Sequence, residues 1–280
     1  MFTAISSPWS EIPGRTPGHH PCRATRVVRQ LMLMHCHDAT HIAMLQSIFF
    51  VEIDVPMLTF RRCSLRGNDQ IDVDPAALIV AGWTGRDEAA LRHHIEELAA
   101  IGVPRPSSVP VFYRNSSSNL TQADAIEVLG PDTSGEVEPV VLSLADGLWL
   151  GMGSDHTDRK AETTGIALSK QLCAKPLGRT LWPLVEVADH WDQLLLRSFA
   201  TIGGKRQKYQ EGYLSAMRTP ADLIGRYGAE LAIDTVMYCG TFAAIGGIRP
   251  ASRFEMEMED PVLGRTMTSA YDIRVMPVVS

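Results

Sequence analysis

Short hydrophobic runs that end at Gly, Pro or Asp follow one another from residue 135 onward, and this succession restricts the possible folds more than any other feature. Runs of this length with partial alternation of apolar and polar residues are typical of β-strands. They are EVEPVVLSL, GLWLGMG, LLLRSFATIG, IDTVMYCG, FEMEMED and IRVMPVV. A helix is predicted among them in TPADLIGRY, with Thr219 as its N-cap and Pro220 at its first position. The sequence therefore predicts an α+β protein whose main part is a β-rich mixed roll or sandwich.

A small α/β part is expected ahead of these strands, over residues 46–125. The run AALIVAG predicts a buried strand that enters a turn in GWTGRD. A helix is predicted next in EAALRHHIEELAAIG, because Leu91, Ile95 and Leu98 fall on one face. The Pro- and Ser-rich segment PRPSSVPVFYRNSSSN marks a boundary, so residues 126–280 are expected to form the β-rich domain.

The composition excludes several classes of protein. A chain of 280 residues, 45% of them hydrophobic, can bury a sizeable core. The net charge of −6 and the lack of a long basic block argue against nucleic-acid binding. No uninterrupted apolar run is long enough to span a membrane. The five scattered cysteines indicate a reducing compartment, and we expect the cytoplasm.

Residues 1–45 differ in composition from the rest of the chain, being rich in Arg, Pro and His and poor in acids. We expect a disordered extension, or a start codon assigned too early, in preference to a transit peptide, because amphipathic periodicity is weak. This segment contains a cluster of metal-ligand residue types in HCHDATH: His35, Cys36, His37 and His41. A zinc site is disfavoured because structural zinc sites take paired ligands from two separated segments.

Two segments place carboxylates two residues apart, on one face of a strand. In FEMEMED, methionines alternate with Glu255, Glu257 and Glu259, which is typical of a half-buried strand with solvated acids. In GEVEPVVL, Glu136 and Glu138 instead precede an apolar run. A carboxylate pair that enters a buried region is costly unless a cation neutralises it. Spacing alone leaves two alternatives open, an exposed strand end and a cation site.

The segment GMGSDHTDRK strengthens the cation-site alternative. Its strand ends in glycines, which permit close approach of other groups, and Asp155 follows directly. The competing interpretation is an Asp/Ser turn that hydrogen-bonds its own backbone. Oxygen ligands from two strands would suit magnesium, manganese or calcium better than zinc. Lys170 in LSKQL is either a solvated surface residue or a group that neutralises developing negative charge.

Five motifs occur in the order found in the catalytic domain of the fumarylacetoacetate hydrolase superfamily. They are GEVEPVV, GSDHTDR, SKQLCAKPLG, YQEG, and CGTFAAIGG continuing to FEMEMEDPVLGR. The chain resembles this superfamily over residues 134–278, and most closely an uncharacterised bacterial branch of unknown function that also carries AGWTGRD and WPLVEVADHWD. The resemblance implies a fold of the fumarylacetoacetase C-terminal type and, since members are often dimers, a homodimer.

The resemblance also implies roles for individual positions. The superfamily binds a divalent cation, usually magnesium, through three carboxylates, places a lysine beside them, and holds the substrate carboxylate at a Gly-Thr pair. The matching positions are Glu136, Glu138 and Asp155 for the metal, Lys170 for catalysis, and Arg159, Gln210, Gly240 and Thr241 for the substrate.

Some positions depart from the superfamily's pattern. The aspartate commonly found three residues after the lysine is Cys173 here, and the proline after the Gly-Thr pair is Phe242. The short interval between Glu138 and Asp155 lacks room for a helical segment. The His–Glu pair that many members carry on a mobile lid has no counterpart in FYRNSSSN. These departures bear on the substrate and the reaction more than on the metal site.

The general acid/base group is not fixed by the resemblance. We take His156 as the catalytic candidate, with His190 and Asp158 as alternatives. Adjacent strand residues point to opposite faces, so His156 is expected to point away from its neighbour Asp155.

The implied function is that of a hydrolase or lyase that acts on a small 2-oxo or 1,3-diketo acid through an enolate stabilised by a divalent cation. The reaction would be C–C bond hydrolysis, decarboxylation, hydration or tautomerisation. Lactone or hydroxy-acid chemistry on the same fold is a second possibility. A non-catalytic binding protein that retains the fold and the metal site is a third.

Overall fold

Strands are the predominant secondary structure in the computed structural model, which describes residues 57–100 and 105–279. In chain order the strands are β1 (Leu58–Ser64), β2 (Gly67–Val73), β3 (Ala77–Gly82), β4 (Val111–Asn115), β5 (Leu120–Thr121), β6 (Ala125–Leu129), β7 (Thr133–Ser134), β8 (Val137–Leu144), β9 (Gly147–Ser154), β10 (Thr157–Asp158), β11 (Lys175–Pro176), β12 (Thr180–Pro183), β13 (Leu195–Ile202), β14 (Lys205–Tyr213), β15 (Thr235–Tyr238), β16 (Arg253–Asp260) and β17 (Arg265–Met276).

Helices are shorter and fewer in the described residues. The α-helices are α1 (Glu88–Ala100), α2 (Arg159–Glu162), α3 (Ile166–Gln171), α4 (Leu184–Val187) and α5 (Pro220–Tyr227), and single 3-10 turns or short 3-10 helices lie at Ser117–Asn119, Ala188–Gln193 and Leu214–Ala216. The content and order of these elements confirm the prediction of a β-rich α+β protein with mixed sheets.

Two large sheets organise the described residues. The larger has eight strands in the spatial order β2-β1-β12-β9-β8-β15-β3-β4, and the smaller has five in the order β14-β13-β16-β17-β6. Both are mixed, since β15 is parallel to β3 but antiparallel to β8, and β17 is parallel to β6 but antiparallel to β16. The pairs β7–β10 and β5–β11 form small two-stranded sheets.

The main core lies where the two large sheets pack against each other. Leu150 and Met152 of the larger sheet join Leu196, Met256 and Met258 of the smaller sheet in one hydrophobic cluster. All eight residues of β8 are buried, as expected of a strand that is covered on both faces. Because β8 lies deep in the sheet, any polar group at its start is drawn into the interior.

The strand β16 shows the predicted alternation. Its even-numbered residues, which include Met256 and Met258, are buried, while Glu255, Glu257 and Glu259 are half-buried on the other face. Arg197 of the adjacent strand β13 and Arg206 of β14 pair with these carboxylates. The prediction of a half-buried strand with outward-facing acids is confirmed.

Both helices predicted from sequence are present. Thr219 caps α5, its hydroxyl accepting the Asp222 N–H at 3.3 Å, and Pro220 is the first helical residue. Asp87 caps α1 in the same way, accepting the N–H groups of Ala89 and Ala90 at 2.9 and 3.0 Å.

The predicted division between residues 46–125 and 126–280 stays a prediction, and strands from both parts share the eight-stranded sheet. Predictions for residues 1–45, including the HCHDATH cluster, lie outside the described residues. In the part that the structure describes, the free cysteines are Cys63, Cys173 and Cys239, and no helix combines the length and apolar character needed to cross a membrane.

Candidate metal centre

Three carboxylates meet where β8 begins and β9 ends. The two strands are antiparallel, with Val137 opposite Ser154 and Glu138 opposite Gly153. Just beyond this ladder the Asp155 N–H donates to the Glu136 carbonyl at 2.9 Å. The register therefore brings Asp155 beside both glutamates, and one ligand oxygen from each of the three carboxylates lies within 4.8 Å of the others.

Glu138 is the least compensated of the three. It is only 2% exposed, and its carboxylate accepts the Gly240 N–H at 2.7 Å. Among the described residues, no Lys, Arg or His pairs with it. Burial, followed by the negative charge of Asp155, raises the pKa of Glu138 well above its usual value. A buried carboxylate in this situation favours the approach of a cation.

Lys170 supplies a positive charge next to the carboxylates. It lies in α3, is almost fully buried, and its ammonium contacts Asp155 Oδ2 and lies 3.8 Å from Glu136 Oε2. Burial alone would lower the pKa of Lys170, but the charges of Asp155, Glu136 and Glu138 raise it above its usual value. The amine is therefore protonated at neutral pH.

Lys175 is a second buried lysine at the site, and it was not predicted from sequence. Its side chain is 0% exposed, and Nζ lies 3.0 Å from Asp155 Oδ1 and donates to the His156 carbonyl at 2.5 Å. It follows Lys170 by five residues in SKQLCAKPLG, on β11, which pairs with β5. Because β11 has only two residues, the sequence gives little indication that this lysine is buried.

Arg159 joins the site through Glu136. It is the first residue of α2, and its guanidinium contacts Glu136 Oε1 at 2.8 Å and Glu162 Oε2 at 3.0 Å. The Ser134 hydroxyl accepts from Arg159 Nε at 2.7 Å. This position, predicted to bind substrate, therefore lies beside the carboxylates and neutralises one of them.

The predicted substrate residues Gln210, Gly240 and Thr241 surround the start of β8. The Thr241 hydroxyl donates to the Val137 carbonyl at 2.7 Å and accepts from Gln210 Nε2 at 2.8 Å. Gln210 Oε1 accepts the Val137 N–H at 3.0 Å. These bonds fix the strand from which Glu138 projects.

The backbone at Gly240 requires glycine. Its φ is +101°, a backbone conformation that residues with a Cβ rarely adopt, and a Cβ there would lie 1.7 Å from the Thr84 hydroxyl oxygen. This conformation directs the Gly240 N–H to the Glu138 carboxylate. A residue with no side chain thus orients one of the three candidate ligands.

His156 points away from the carboxylates, as alternation predicts. It is completely buried, and its two ring nitrogens lie 2.9 Å from the Tyr271 and Thr133 hydroxyl groups. Burial lowers the pKa of His156 to about 3, so the ring is neutral. Both nitrogens are used within the core, so the structure does not bring this catalytic candidate to the carboxylates.

The alternative acid/base candidates are also engaged elsewhere. His190 Nε2 lies 2.9 Å from Asp260 Oδ1, and Asp158 caps α2 by accepting the Ala161 N–H at 2.8 Å. Tyr113 of β4, in the FYRNSSSN segment, is partly exposed, and the centre of its ring lies 5.9 Å from Lys170 Nζ. This tyrosine was not predicted from sequence because no spacing relates β4 to α3.

The family comparison matches most of the described chain. The model of a family described as protein of unknown function (DUF2848) matches residues 81–271. No curated protein sequence matches the chain.

Several solved structures are similar in fold. One is Cg1458 with an inhibitor, 16% identical, with a TM-score of 0.53 over 76% of this chain and 82% of that chain. A fumarylacetoacetate hydrolase family protein from yeast is 15% identical, with a TM-score of 0.51 over 73% of this chain and 95% of that chain.

A third similar structure is 2-keto-3-deoxy-D-arabinonate dehydratase complexed with magnesium and 2,5-dioxopentanoate. It is 13% identical, with a TM-score of 0.52 over 75% of this chain and 78% of that chain. At these identities the likeness concerns the fold, and it confirms the fumarylacetoacetase-like architecture that the sequence resemblance implied.

Proposed function

This chain belongs to the DUF2848 family and has the fumarylacetoacetate hydrolase fold, and from that premise we propose that it is a divalent-metal-dependent enzyme. Its substrate would be a small 2-oxo or 1,3-diketo acid, and its reaction that of a hydrolase or lyase. The observation that carries the proposal is the meeting of Glu136, Glu138 and Asp155 within 4.8 Å, next to Lys170.

The residues present fit a divalent cation. Glu138 is a buried carboxylate without an ionic partner among the described residues, and two further carboxylates lie beside it. Ligands that are all carboxylate oxygens suit magnesium, with manganese or calcium as alternatives, better than zinc. The dehydratase of similar fold is complexed with magnesium, which supports the same choice.

A bound cation would supply Lewis-acid stabilisation of negative charge on the 2-oxo oxygen of the substrate. Glu136, Glu138 and Asp155 would hold it, and the Gly240 N–H fixes the orientation of Glu138. Lys170, buried beside Asp155 and Glu136, would add a second positive charge to the same site.

The proposed substrate carboxylate would be held near the Gly240–Thr241 turn, with Arg159 and Gln210 as supporting residues. Gln210 and the Thr241 hydroxyl already bond to the backbone of β8. Gln210 and Thr241 would act chiefly by fixing the position of the Gly240–Thr241 segment relative to the carboxylate cluster, which orients the substrate.

A proton donor or acceptor is still required. Since both ring nitrogens of His156 are engaged in the core, we rank the phenol of Tyr113, beside Lys170, ahead of it. Replacing Tyr113 with Phe should lower kcat and leave magnesium binding intact. An equal loss of both would assign Tyr113 a structural role instead.

The test begins with metal analysis of the purified protein and an ultraviolet screen of acylpyruvates, oxaloacetate and 2-hydroxydienoates with added magnesium. We expect turnover of at least one compound, its loss with EDTA, and its loss in Glu138→Gln. The matched control is Glu257→Gln, which has the same spacing in β16 and should retain activity. A protein that binds no divalent cation either alone or with a 2-oxo acid present, and whose thermal stability does not respond to magnesium under either condition in wild type and Glu138→Gln, contradicts the metal site.

The second candidate is a non-catalytic binding protein that retains the fold and the metal site. It is favoured by the lack of a His–Glu lid pair in FYRNSSSN. Magnesium-dependent binding of 2-oxo acids without turnover of any of them would support this candidate over the enzyme.

We also propose a homodimer in the cytoplasm, following the resemblance and the cysteine pattern. Light scattering of the purified protein gives the mass in solution. A mass of one chain, 30.8 kDa, at micromolar concentration would refute the dimer.

A further inference from the structure

Asp155 differs from the other two carboxylates because both of its oxygens face lysine. Lys170 contacts Oδ2, and Lys175 lies 3.0 Å from Oδ1. Both the aspartate and Lys175 are 0% exposed, so no water screens this second contact. One lysine beside a metal-binding aspartate suffices to supply a positive charge to the site, and the second needs another explanation.

The second lysine changes the charge of the site. The nearly or fully buried groups are Glu138 and Asp155 on the negative side and Lys170 and Lys175 on the positive side. The partly exposed Glu136 is paired with Arg159 at 2.8 Å. With Glu138 ionised, as it must be to bind a cation, three carboxylates thus face three cationic side chains. A fourth carboxylate, Glu162, contacts Arg159 from the rim, where it is 33% exposed and more strongly screened by water.

A carboxylate cluster that is already neutralised binds a divalent cation weakly by itself. Adding magnesium to this neutral cluster would leave the centre with a net charge of two positive units. Without the charge of Lys175 the net charge would be one positive unit. An anion that brings two negative charges to the metal removes this excess, and one that brings a single charge removes half of it. Binding of the cation and of such an anion must then strengthen each other by the same factor.

We propose that Lys175 is a positioning residue that couples the two ligands: it fixes Asp155 and holds cation affinity low until a dianionic ligand binds. The inference rests on the proposed function and narrows its substrate class. The substrate would carry a carboxylate and an adjacent 2-oxo group on which a second negative charge develops during the reaction. The two positive charges of the magnesium-bound centre would balance the two negative charges of the substrate in that state, so the site would bind this state best.

Lys175 acts through Asp155, so its test needs a readout that a merely structural lysine would not change. Calorimetric titration of magnesium provides one, with oxalate as the dianion and pyruvate as the monoanion of the same chelating geometry. Free magnesium is corrected for its soluble oxalate complex. The variant is Lys175→Met, whose unbranched side chain is one atom shorter than that of lysine and carries no charge. The control is Lys205→Met, at an exposed lysine of β14.

In the wild type, oxalate should tighten magnesium binding by at least about tenfold, within the usual range of coupling between two ligands, and pyruvate should do so less. Lys175→Met should bind magnesium more tightly without an anion and should lose most of the oxalate effect. Lys205→Met should match the wild type. Unchanged or weaker magnesium binding by folded Lys175→Met, or an undiminished oxalate effect, overturns the proposal.

If Lys175→Met does not fold, as judged by circular dichroism, the wild-type titrations decide. Equal effects of oxalate and pyruvate, or no effect of either, then reject the proposal. Failure of the proposed function gives a different result. In that case no divalent cation binds under any condition, or cation and oxalate bind cooperatively but no 2-oxo acid is turned over.

Discussion

The strands β8 and β16 share one sequence pattern, glutamates spaced two residues apart, two at the start of β8 and three within β16, and the fold places them in opposite environments. Glu138 is 2% exposed and has no ionic partner among the described residues. In β16, Glu257 and Glu259 share Arg197 at 2.6 and 2.8 Å, and Glu255 contacts Arg206 at 2.5 Å. Carboxylate spacing is therefore uninformative by itself. The residues between and after the acids determine whether the carboxylates are buried. In β16 the methionines occupy the buried face and the acids the partly exposed face, whereas the apolar residues of β8 are buried on both faces.

The largest effect is expected from the inward face of β16. Met258 is completely buried between the two large sheets. Met258→Ala should therefore lower the free energy of unfolding by roughly 3–4 kcal/mol, within the range for buried Met→Ala changes. Urea titration monitored by circular dichroism measures this. The folded variant should keep its response to magnesium, and a loss below about 1 kcal/mol would show that β16 is not a core strand.

The next effect separates the two glutamate pairs directly. Glu138→Gln removes the charge of one candidate ligand and should weaken magnesium binding by about 100-fold or more, since even changes outside the ligand shell cost 10–100-fold. Glu257→Gln should leave the affinity unchanged. Titration calorimetry of both variants gives the comparison. Similar affinities in the two would remove the distinction between β8 and β16.

A smaller effect concerns pH and the end of β16. Burial alone would raise the pKa of Asp260, but hydrogen bonds from the Leu263 N–H, His190 and Arg265 hold it below its usual value. The folded protein therefore binds this proton less readily than the unfolded chain. The resulting stabilisation is complete above about pH 4 and is lost as the pH falls through the lower, folded-state pKa.

Asp260→Asn should accordingly lower the free energy of unfolding by about 2 kcal/mol at pH 7, which is the typical contribution of hydrogen bonds to a charged group. The difference between variant and wild type should shrink as the pH falls below about 4. Urea midpoints between pH 3 and pH 7 measure both quantities. A constant difference across this range would show that Asp260 stabilises the fold without its charge.

The smallest effect is expected on the outward face of β16. Glu257→Gln removes one contact of Arg197, a partly exposed pair, and should change the free energy of unfolding by less than about 1 kcal/mol. Added salt should reduce the difference further. A loss of unfolding free energy comparable to that of Met258→Ala would mean that the ion pairs on the outward face of β16 stabilise the fold as much as the buried methionines on its inward face.

Local patterns in the sequence predicted the elements that depend on neighbouring residues. The cap of α5 by Thr219 and Pro220 and the alternation of β16 were predicted because each is set within a few residues. The opposite directions of Asp155 and His156 were predicted from alternation, although both residues lie in the connection between β9 and β10. The resemblance to a known superfamily then indicated which distant segments come together.

Contacts between distant segments were not predicted from spacing. Lys175 and Tyr113 reach the site on β11 and β4, and neither strand has a periodic pattern that links it to β8. Register between strands decides these contacts, and a single sequence does not specify it over long separations. The departure at Phe242 was noted from sequence, but its packing against Gly212 became evident only in the structure.

The position of β15 governs when the site can form during synthesis. This strand, residues 235–238, lies between β8 and β3, which precede it by roughly a hundred residues or more, and Gly240 directly follows it. A ribosome releases the earlier strands first, and the middle of the larger sheet stays unfilled until β15 emerges. Nascent chains shorter than about 240 residues would therefore lack the Gly240 N–H that orients Glu138, so the carboxylate cluster would be completed only near the end of translation.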